Sequence, residues 1–372
     1  MERDAVLIAG GGTGGHVYPG LALADELRSL RPSLPILFAG TRHGLEATLV
    51  PGAGYPIRFI QAGGIAGKSW TARLAGALRI PVGTFQSAVM VMRVHASVVV
   101  GVGGYASGPV VLAGKLLRRG TMVLEQNAIP GATNRILAPL VDRVAVSFAA
   151  TASRLRGRVA LTGNPVRRGM VRVPDRRSPD HWSLLIFGGS RGATGLNQAV
   201  IAALPSLSRA GHPLRILHQS GAEDENRLRE AYRRAGLQAT VVPYIQDMAG
   251  AYATADLVVC RAGATTVAEL SAAGRAAVLI PFPHATGGHQ EENAREMTAC
   301  GAALLVREEE CKEERLATVL LSLLRDPARR HRMEEAVRRL GSPDAAGKVA
   351  ALVLELHDRR ASRAAAGNGR LP

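Results

Sequence analysis

Three stretches of this sequence set glycines beside polar or ionisable side chains in patterns that could handle a phosphate or a proton. The first runs GGGTGGH from Gly10 to His16. Gly10, Gly12 and Gly15 fit GxGxxG between an apolar stretch and a helical pattern, so backbone N–H groups and a helix N-terminus could hold an anion. His16 closes the motif with an imidazole suited to proton transfer near neutrality. A lone histidine more often serves structure, and its seat on a glycine loop is what favours chemistry. The second stretch is GVGGYASGP, from Gly101 to Pro109. The third is FGGSRGATG, in which Gly188, Gly189, Ser190 and Gly192 form another phosphate-ready turn.

Other candidates have weaker patterns. Arg261 and Glu269 flank RAGATTVAE, where a carboxylate early in a helix either complements the helix dipole or accepts two hydroxyls of a ribose. His284, His289 and Gln290 lie within PFPHATGGHQEEN, and without a carboxylate or cysteine at ligand spacing they suit sugar hydroxyls better than a metal. A dinucleotide site would need an acid at the end of the second strand, but Ile36 to Ala39 leads into Gly40 and Thr41. AGGIAGKS, from Ala62 to Ser69, nearly spells a P-loop with Lys68 and Ser69 in place. Ala62 replaces the first glycine, and the nearest mimic of a magnesium-binding acid is Glu125, so the stretch reads as a basic loop.

The elements that must carry these loops follow a repeated pattern. Ala5 to Ala9, Ser97 to Val100 and Ser183 to Phe187 are each a short apolar strand feeding a glycine cluster and then a helix. Further strands are expected at Ile36 to Ala39, Met122 to Leu124, Val144 to Ser147, Ile216 to Gln219, Leu257 to Cys260 and Ala277 to Ile280. Strands alternating with helices predict an α/β protein with two doubly wound parallel sheets. The polar Arg/Pro-rich passage from Arg167 to His181 separates a domain at 1–166 from one at 167–340. Helices are expected at Ala328 to Arg339 and Ala345 to Leu356, and a disordered tail at 361–372.

The length of 372 residues accommodates two cores, and 47% hydrophobic with 20% charged residues excludes a disordered or fibrous chain. Lys+Arg total 46 against 30 Asp+Glu, for a net charge of +16, and between Glu46 and Glu125 there is no acidic residue at all. That segment mixes Trp70, Leu74, Leu78, Ile80 and Phe85 with Lys68, Arg73 and Arg79, which suits a face resting on anionic lipid headgroups. No nucleic-acid-binding signature accompanies the charge. Cys260, Cys300 and Cys311 are far apart and in no CxxC pattern, so reduced thiols and a cytoplasmic setting are expected. The N-terminus does not resemble a signal peptide, and the uncharged run Ala96 to Gly114 is broken by glycines and Pro109, so no spanning helix is expected.

Taken in order, GGGTGGHVYPGLALADEL, GVGGYASGP, LEQNAIPGATNR, TGNPVR, FGGSRGATGLN, CRAGATTVAEL and HQEENA resemble one family over roughly residues 5 to 355. It is the family of glycosyltransferases that add N-acetylglucosamine to the peptidoglycan precursor lipid I. The resemblance implies a GT-B fold, two Rossmann-like domains facing a cleft, with the last helix, about 341–358, returning to the first domain. It implies UDP-N-acetylglucosamine as donor and undecaprenyl-pyrophosphoryl-N-acetylmuramoyl-pentapeptide as acceptor. The new bond would be β1,4 to the muramoyl O4, with UDP leaving and lipid II as product. It further implies peripheral attachment to the cytoplasmic face of the plasma membrane and a part in building the cell wall.

Residue by residue, the resemblance implies that Thr13, Gly14 and Gly15 line the cleft and that Asn127 and Arg167 reach the donor from the first domain. Ser190 would hold donor phosphate, Ile245 with Ala264 and Thr265 would cover the uracil, Glu269 would take the ribose and Gln290 would bind the sugar, with Arg261 and Gly263 also among the donor-binding residues. Gly103, Gly104 and Tyr105 would meet the acceptor pyrophosphate. For the base that removes the O4 proton, His16 is expected, with Glu125 its rival. The helix after Ser190 and Arg167 would absorb the charge of the departing diphosphate, so no metal or other cofactor is expected. Two positions depart from the family pattern: Arg191 stands where glutamine is common, and Gly287–Gly288 stand where acids are common. A GT-B enzyme with another lipid acceptor, and an inactive membrane-peripheral scaffold, are the alternative readings.

Overall fold

The computed structural model describes residues 4–61, 70–171, 173–189, 192–311 and 314–368, excluding the side chains of 70–80 and 363–368. The P-loop-like stretch at 62–69, Ser190, Arg191 and the side chains of Trp70, Arg73 and Arg79 therefore lie outside the described residues. Two compact units make up the chain, one of residues 1–167 with 344–372 and one of residues 168–343.

The first unit contains β1 Ala5–Ala9, β2 Ile36–Gly40, β3 Ile57–Phe59, β4 Ala96–Gly101, β5 Gly120–Glu125, β6 Arg143–Val146 and β7 Val159–Leu161. They pair in parallel in the order β3-β2-β1-β4-β5-β6-β7. Alternation along β1 explains why the strand is apolar at every position: Val6 and Ile8 enter the core on one face of the sheet, Leu7 and Ala9 the core on the other. From β1 the chain winds outward through β2 and β3, and from β4 it winds the other way. The loops leaving β1 and β4 therefore diverge at a switch point, where open parallel sheets bind ligands.

Helix Ala345–Asn368 closes one face of this sheet. Val349, Ala350, Val353 and Leu356 recur at helical spacing and are buried in the same core as Val6 and Ile8. At the rim Arg31 grips Asp358 with two hydrogen bonds of 2.6 Å, Arg143 meets Glu355 at 2.9 Å, and His357 Nδ1 lies 2.6 Å from Ser97 Oγ. The expected tail is corrected for residues 361–368, while 369–372 lie outside the described residues. The helix continues to Asn368, over a stretch containing Ala361, Ala364, Ala365 and Ala366, residues of the highest helix propensity.

The second unit repeats the plan with β8 Trp182–Phe187, β9 Leu214–Gln219, β10 Gln238–Val242, β11 Leu257–Cys260, β12 Ala277–Leu279 and β13 Ala303–Leu305. Their order is β10-β9-β8-β11-β12-β13, all parallel, with the switch point between β8 and β11. One large core, including Leu184, Ile186, Leu196, Leu257 and Leu320, supports it.

Apolar burial, rather than the rim ion pairs, should hold the last helix in place. The Arg31–Asp358 pair is 39% and 52% exposed, so Asp358→Asn should cost under about 1 kcal/mol. Val353 is wholly buried, and Val353→Asp, which places an unpaired charge in the core, should cost more than about 3 kcal/mol. Urea unfolding of both variants checks this, and equal losses would contradict it.

Candidate functional site

In the first unit the two switch-point loops touch through their backbones. Gly11 N–H donates to Gly103 O at 3.2 Å, and a side chain at Gly104 would run into Gly11 O. Gly103 and Gly104 both have positive φ, +93° and +80°, in the region that favours glycine. The ring of His16, in the first turn of helix Gly14–Leu30, lies against Gly103, where an added Cβ would fall 2.8 Å from Nε2. His16 Nδ1 is 3.2 Å from Gly11 O, and a carbonyl can only accept, so Nδ1 carries the proton and Nε2 is the basic nitrogen of the neutral ring. Thr13 Oγ1 stands 3.5 Å from the same Nδ1. The helix has no acidic residue in its first turn and no side-chain cap, which leaves its start attractive to an anion. Tyr105, on the same side of the sheet, is exposed. The Arg167 guanidinium stacks 4.6 Å from the ring centroid of Tyr18.

Glu125, at the end of β5, has a different environment. It is 2% exposed, and its carboxylate accepts from Asn127 N at 3.0 Å, Asn127 Nδ2 at 3.3 Å, Gly131 N at 2.8 Å and Asn134 Nδ2 at 2.9 Å. Those bonds fold the loop from Glu125 to Asn134 around the carboxylate, and Asn134 also donates to Leu124 O at 2.9 Å. Gln126 Nε2 donates to Val102 O at 2.9 Å, joining this loop to the one after β4.

In the second unit the loop after β8 and the segment holding Ile245 are tied by one side chain. Gln219 Nε2 donates to Gly189 O at 2.7 Å, while its Oε1 accepts from Ile245 N at 3.0 Å. Next to it, His218 is fully buried in a closed set of bonds: Tyr232 O–H donates to Nδ1 at 2.8 Å and Nε2–H donates to Asn197 Oδ1 at 3.1 Å. Asn197 Nδ2 then donates to Ser220 O and to Asp224 Oδ2. Burial pushes the His218 imidazole down to about 3, so it is neutral here.

Helix Ala264–Ala273 begins at Gly263 with no side-chain cap and no acid in its first turn, and helix Thr194–Ser208 shares both features. Ala264 and Thr265 stand at the first of these starts, and Glu269 is buried one turn further in. Its charge adds to burial in raising the thiol of Cys260. Arg261 is 5% exposed; it donates to Ile280 O and Pro281 O at 3.1 and 3.0 Å, pairs with Glu308, and lies over Phe282. Gln290 Oε1 accepts from Phe282 N at 2.9 Å, which leaves the amide nitrogen as its donor end. Gly287 and Gly288 have φ of +65° and +70°, a tandem left-handed turn that acidic residues would strain, which accounts for the glycines at those positions.

Residues 6–146 match the glycosyltransferase family 28 N-terminal domain and residues 183–349 its C-terminal domain. The chain is 47% identical over 358 residues to a UDP-N-acetylglucosamine–N-acetylmuramyl-(pentapeptide) pyrophosphoryl-undecaprenol N-acetylglucosamine transferase of Anaeromyxobacter sp. (strain Fw109-5), covering 95% of this chain and 94% of that protein. The chain belongs to glycosyltransferase family 28. A family member of the same name from Myxococcus xanthus (strain DK1622) is 45% identical, with 94% and 92% covered. The crystal structure of Acinetobacter baumannii MurG superposes with a TM-score of 0.78 at 31% identity, covering 95% of this chain and all of that one.

Within this family fold, the structure gathers Thr13, His16, Gly103 and Gly104 at one switch point and Gly263, Ala264 and Thr265 at the other. Arg261 acts on the loop before Gln290, and Asn127 on the loop braced by Glu125. Sequence reasoning missed Glu46, Asn134 and Gln219. The signal for Gln219 was a polar pair, His218 and Gln219, buried at the end of a strand whose one other polar residue, Arg215, is exposed.

The neutral His218 predicts a pH dependence of stability. Between pH 6.5 and about 3 the unfolded chain binds a proton that the folded unit excludes, so stability falls as pH drops through that window, by up to about 1.4 kcal/mol per unit, and is untouched by this group above it. Denaturant unfolding across the window should show a shallower slope in His218→Gln, and identical slopes would contradict the assignment.

Proposed function

We propose that this chain, a glycosyltransferase, moves N-acetylglucosamine from UDP-N-acetylglucosamine to the muramoyl O4 of undecaprenyl-pyrophosphoryl-N-acetylmuramoyl-pentapeptide, releasing UDP. Kinship along nearly the whole chain with transferases named for that reaction supports the substrates. The observation that carries the mechanism is the His16 ring, held by Nδ1–H on Gly11 O with its basic Nε2 against the loop Gly103 to Tyr105. That loop is the one we assign to the acceptor pyrophosphate.

In this reading the acceptor O4–H gives its proton to His16 Nε2 as O4 attacks the anomeric carbon from the face opposite the diphosphate. The bond to the β-phosphate oxygen breaks, the configuration inverts, and UDP leaves with its new negative charge. The start of helix Thr194–Ser208 and Arg167 would take up that charge. Ile245, Ala264 and Thr265 would hold the uracil, Glu269 the ribose hydroxyls and Gln290 the sugar. Glu125, whose carboxylate is already engaged by four N–H donors, positions the loop of Asn127. His16 is therefore the base we adopt. With helix starts and arginines available for the diphosphate, we read the reaction as independent of a metal.

A lipid-linked acceptor requires the enzyme to sit on a bilayer, and we place it on the cytoplasmic face, attached peripherally. Val82, Phe85 and Met92 are exposed on one side of helix Trp70–Arg93, and Phe85 is 72% exposed. Leu116, Ile136 and Leu140 are exposed near Lys115, Arg118 and Arg135. Exposed apolar side chains on a chain rich in cations suit insertion among anionic headgroups. Among the described residues no helix is long and apolar enough to cross a membrane.

UDP release by the purified protein should require the lipid-linked acceptor, survive excess EDTA and fall at least about a hundredfold in His16→Ala. Binding of UDP-N-acetylglucosamine by that variant should be retained. Undiminished turnover in His16→Ala would end the base assignment, and loss in EDTA the metal-free reading. Phe85→Ser should weaken sedimentation with anionic vesicles, and unchanged sedimentation would move the docking face elsewhere.

A further inference from the structure

Glu46 is the first residue of helix Glu46–Gly52 and is 1% exposed. A carboxylate taken so far out of water needs strong partners. Its Oε2 accepts from Gly12 N–H at 2.6 Å, and its Oε1 accepts from the amide and the hydroxyl of Thr41, both at 2.8 Å. The carboxylate also fills the space that side chains at Gly11, Gly40 and Gly44 would need. This packing explains the shape of the loop, but the choice of Gly12 as donor has a further effect. The N–H of Gly12 and the C=O of Gly11 belong to one peptide group. That same carbonyl accepts from His16 Nδ1 at 3.2 Å.

Carboxylate, peptide and imidazole thus form one chain of hydrogen bonds. A negative charge on the N–H side of a peptide pushes electron density toward its oxygen, and successive hydrogen bonds strengthen one another in a buried setting. The effect is to strengthen the Nδ1–H bond, to fix the proton on Nδ1, and to stabilise the imidazolium that forms when Nε2 takes a proton. An orienting carboxylate bonded directly to a catalytic histidine does the same; here a peptide group is interposed.

We infer that Glu46 is a positioning residue that acts on His16 through the Gly11–Gly12 peptide, setting its tautomer and raising its basicity. The inference rests on reading His16 as the base. Among the described residues, the other charged or titratable groups on these elements include Arg42 and His43, exposed before the Glu46 helix, Asp25, Glu26 and Arg28 more than two turns beyond His16 on its own helix, Tyr105 after β4, Arg167 stacked on Tyr18, and Glu125, engaged by its own loop. Of these carboxylates, Glu46 is the one bonded to the peptide that receives His16.

The test compares full-length wild type, Glu46→Gln and His16→Ala in acceptor-dependent UDP release across the acidic and neutral range. In Glu46→Gln, kcat should fall about tenfold or more while KM for UDP-N-acetylglucosamine changes less than about twofold. The acidic limb of its kcat profile should move to lower pH, because a less basic imidazole stays unprotonated further into acid. A lower kcat with an unmoved limb would mean that Glu46 only shapes the loop, and would overturn the inference. Wild-type turnover in His16→Ala is a different failure, that of the base reading itself. Nitrogen-15 spectra of the wild-type histidines, with His16 assigned by its absence in His16→Ala, provide a check that needs no Glu46 variant. A neutral ring protonated on Nδ1 agrees with the inference, and one protonated on Nε2 refutes it.

Discussion

The first unit depends on the approach of two backbones at the β1/β4 switch point. Parallel strands that lie side by side while their crossovers diverge leave a gap at their carboxyl ends, and glycine at 103 and 104 lets the second loop close onto the first. Gly11 N–H then finds Gly103 O, and the His16 ring lies in the space that a side chain at 103 would fill. A Cβ at 103 would take the place of the histidine ring, and one at 104 would run into the Gly11 backbone. A strand pattern, a helix start and an ionisable group thus meet by the geometry of the sheet, with no long side chain required to bring them together.

The second unit uses the same topology with different bracing. Its loops are held by neutral amides and a neutral imidazole: Gln219 spans Gly189 and Ile245, and His218 is buried between Tyr232 and Asn197. A fixed cation, Arg261, is spent on carbonyls of the segment before Gln290 and on Glu308. This leaves the uncapped helix starts at Thr194 and Ala264 as permanent partial positive charges. Such charges require no reorganisation when a diphosphate acquires charge.

Much of this was legible in the sequence, because apolar strands ending in glycine clusters have one common structural solution. The nine strands expected from buried apolar runs all form. Those not anticipated, β3, β7, β10 and β13, lie at or near sheet edges, and three of them are only three residues long, too short to show a period. The last helix runs further than expected because its alanines carry little amphipathic signal. Candidate loops were visible as motifs, but their braces were not. Glu46 and Gln219 act on residues 34 and 26 or more positions away, and only the fold reveals such pairings. Glu125 illustrates the reverse case: a carboxylate at the end of a strand suggests a base, while its four donors come from the loop that follows it.

The central claim is that His16 Nε2 receives the acceptor's proton. A crystal structure with UDP-N-acetylglucosamine and an unreactive analogue of the lipid-linked muramoyl acceptor tests it most directly. The account predicts the muramoyl O4 within hydrogen-bond reach of His16 Nε2, about 2.6 to 3.2 Å. An O4 that instead meets Glu125, or any other basic group, with His16 turned away would contradict it.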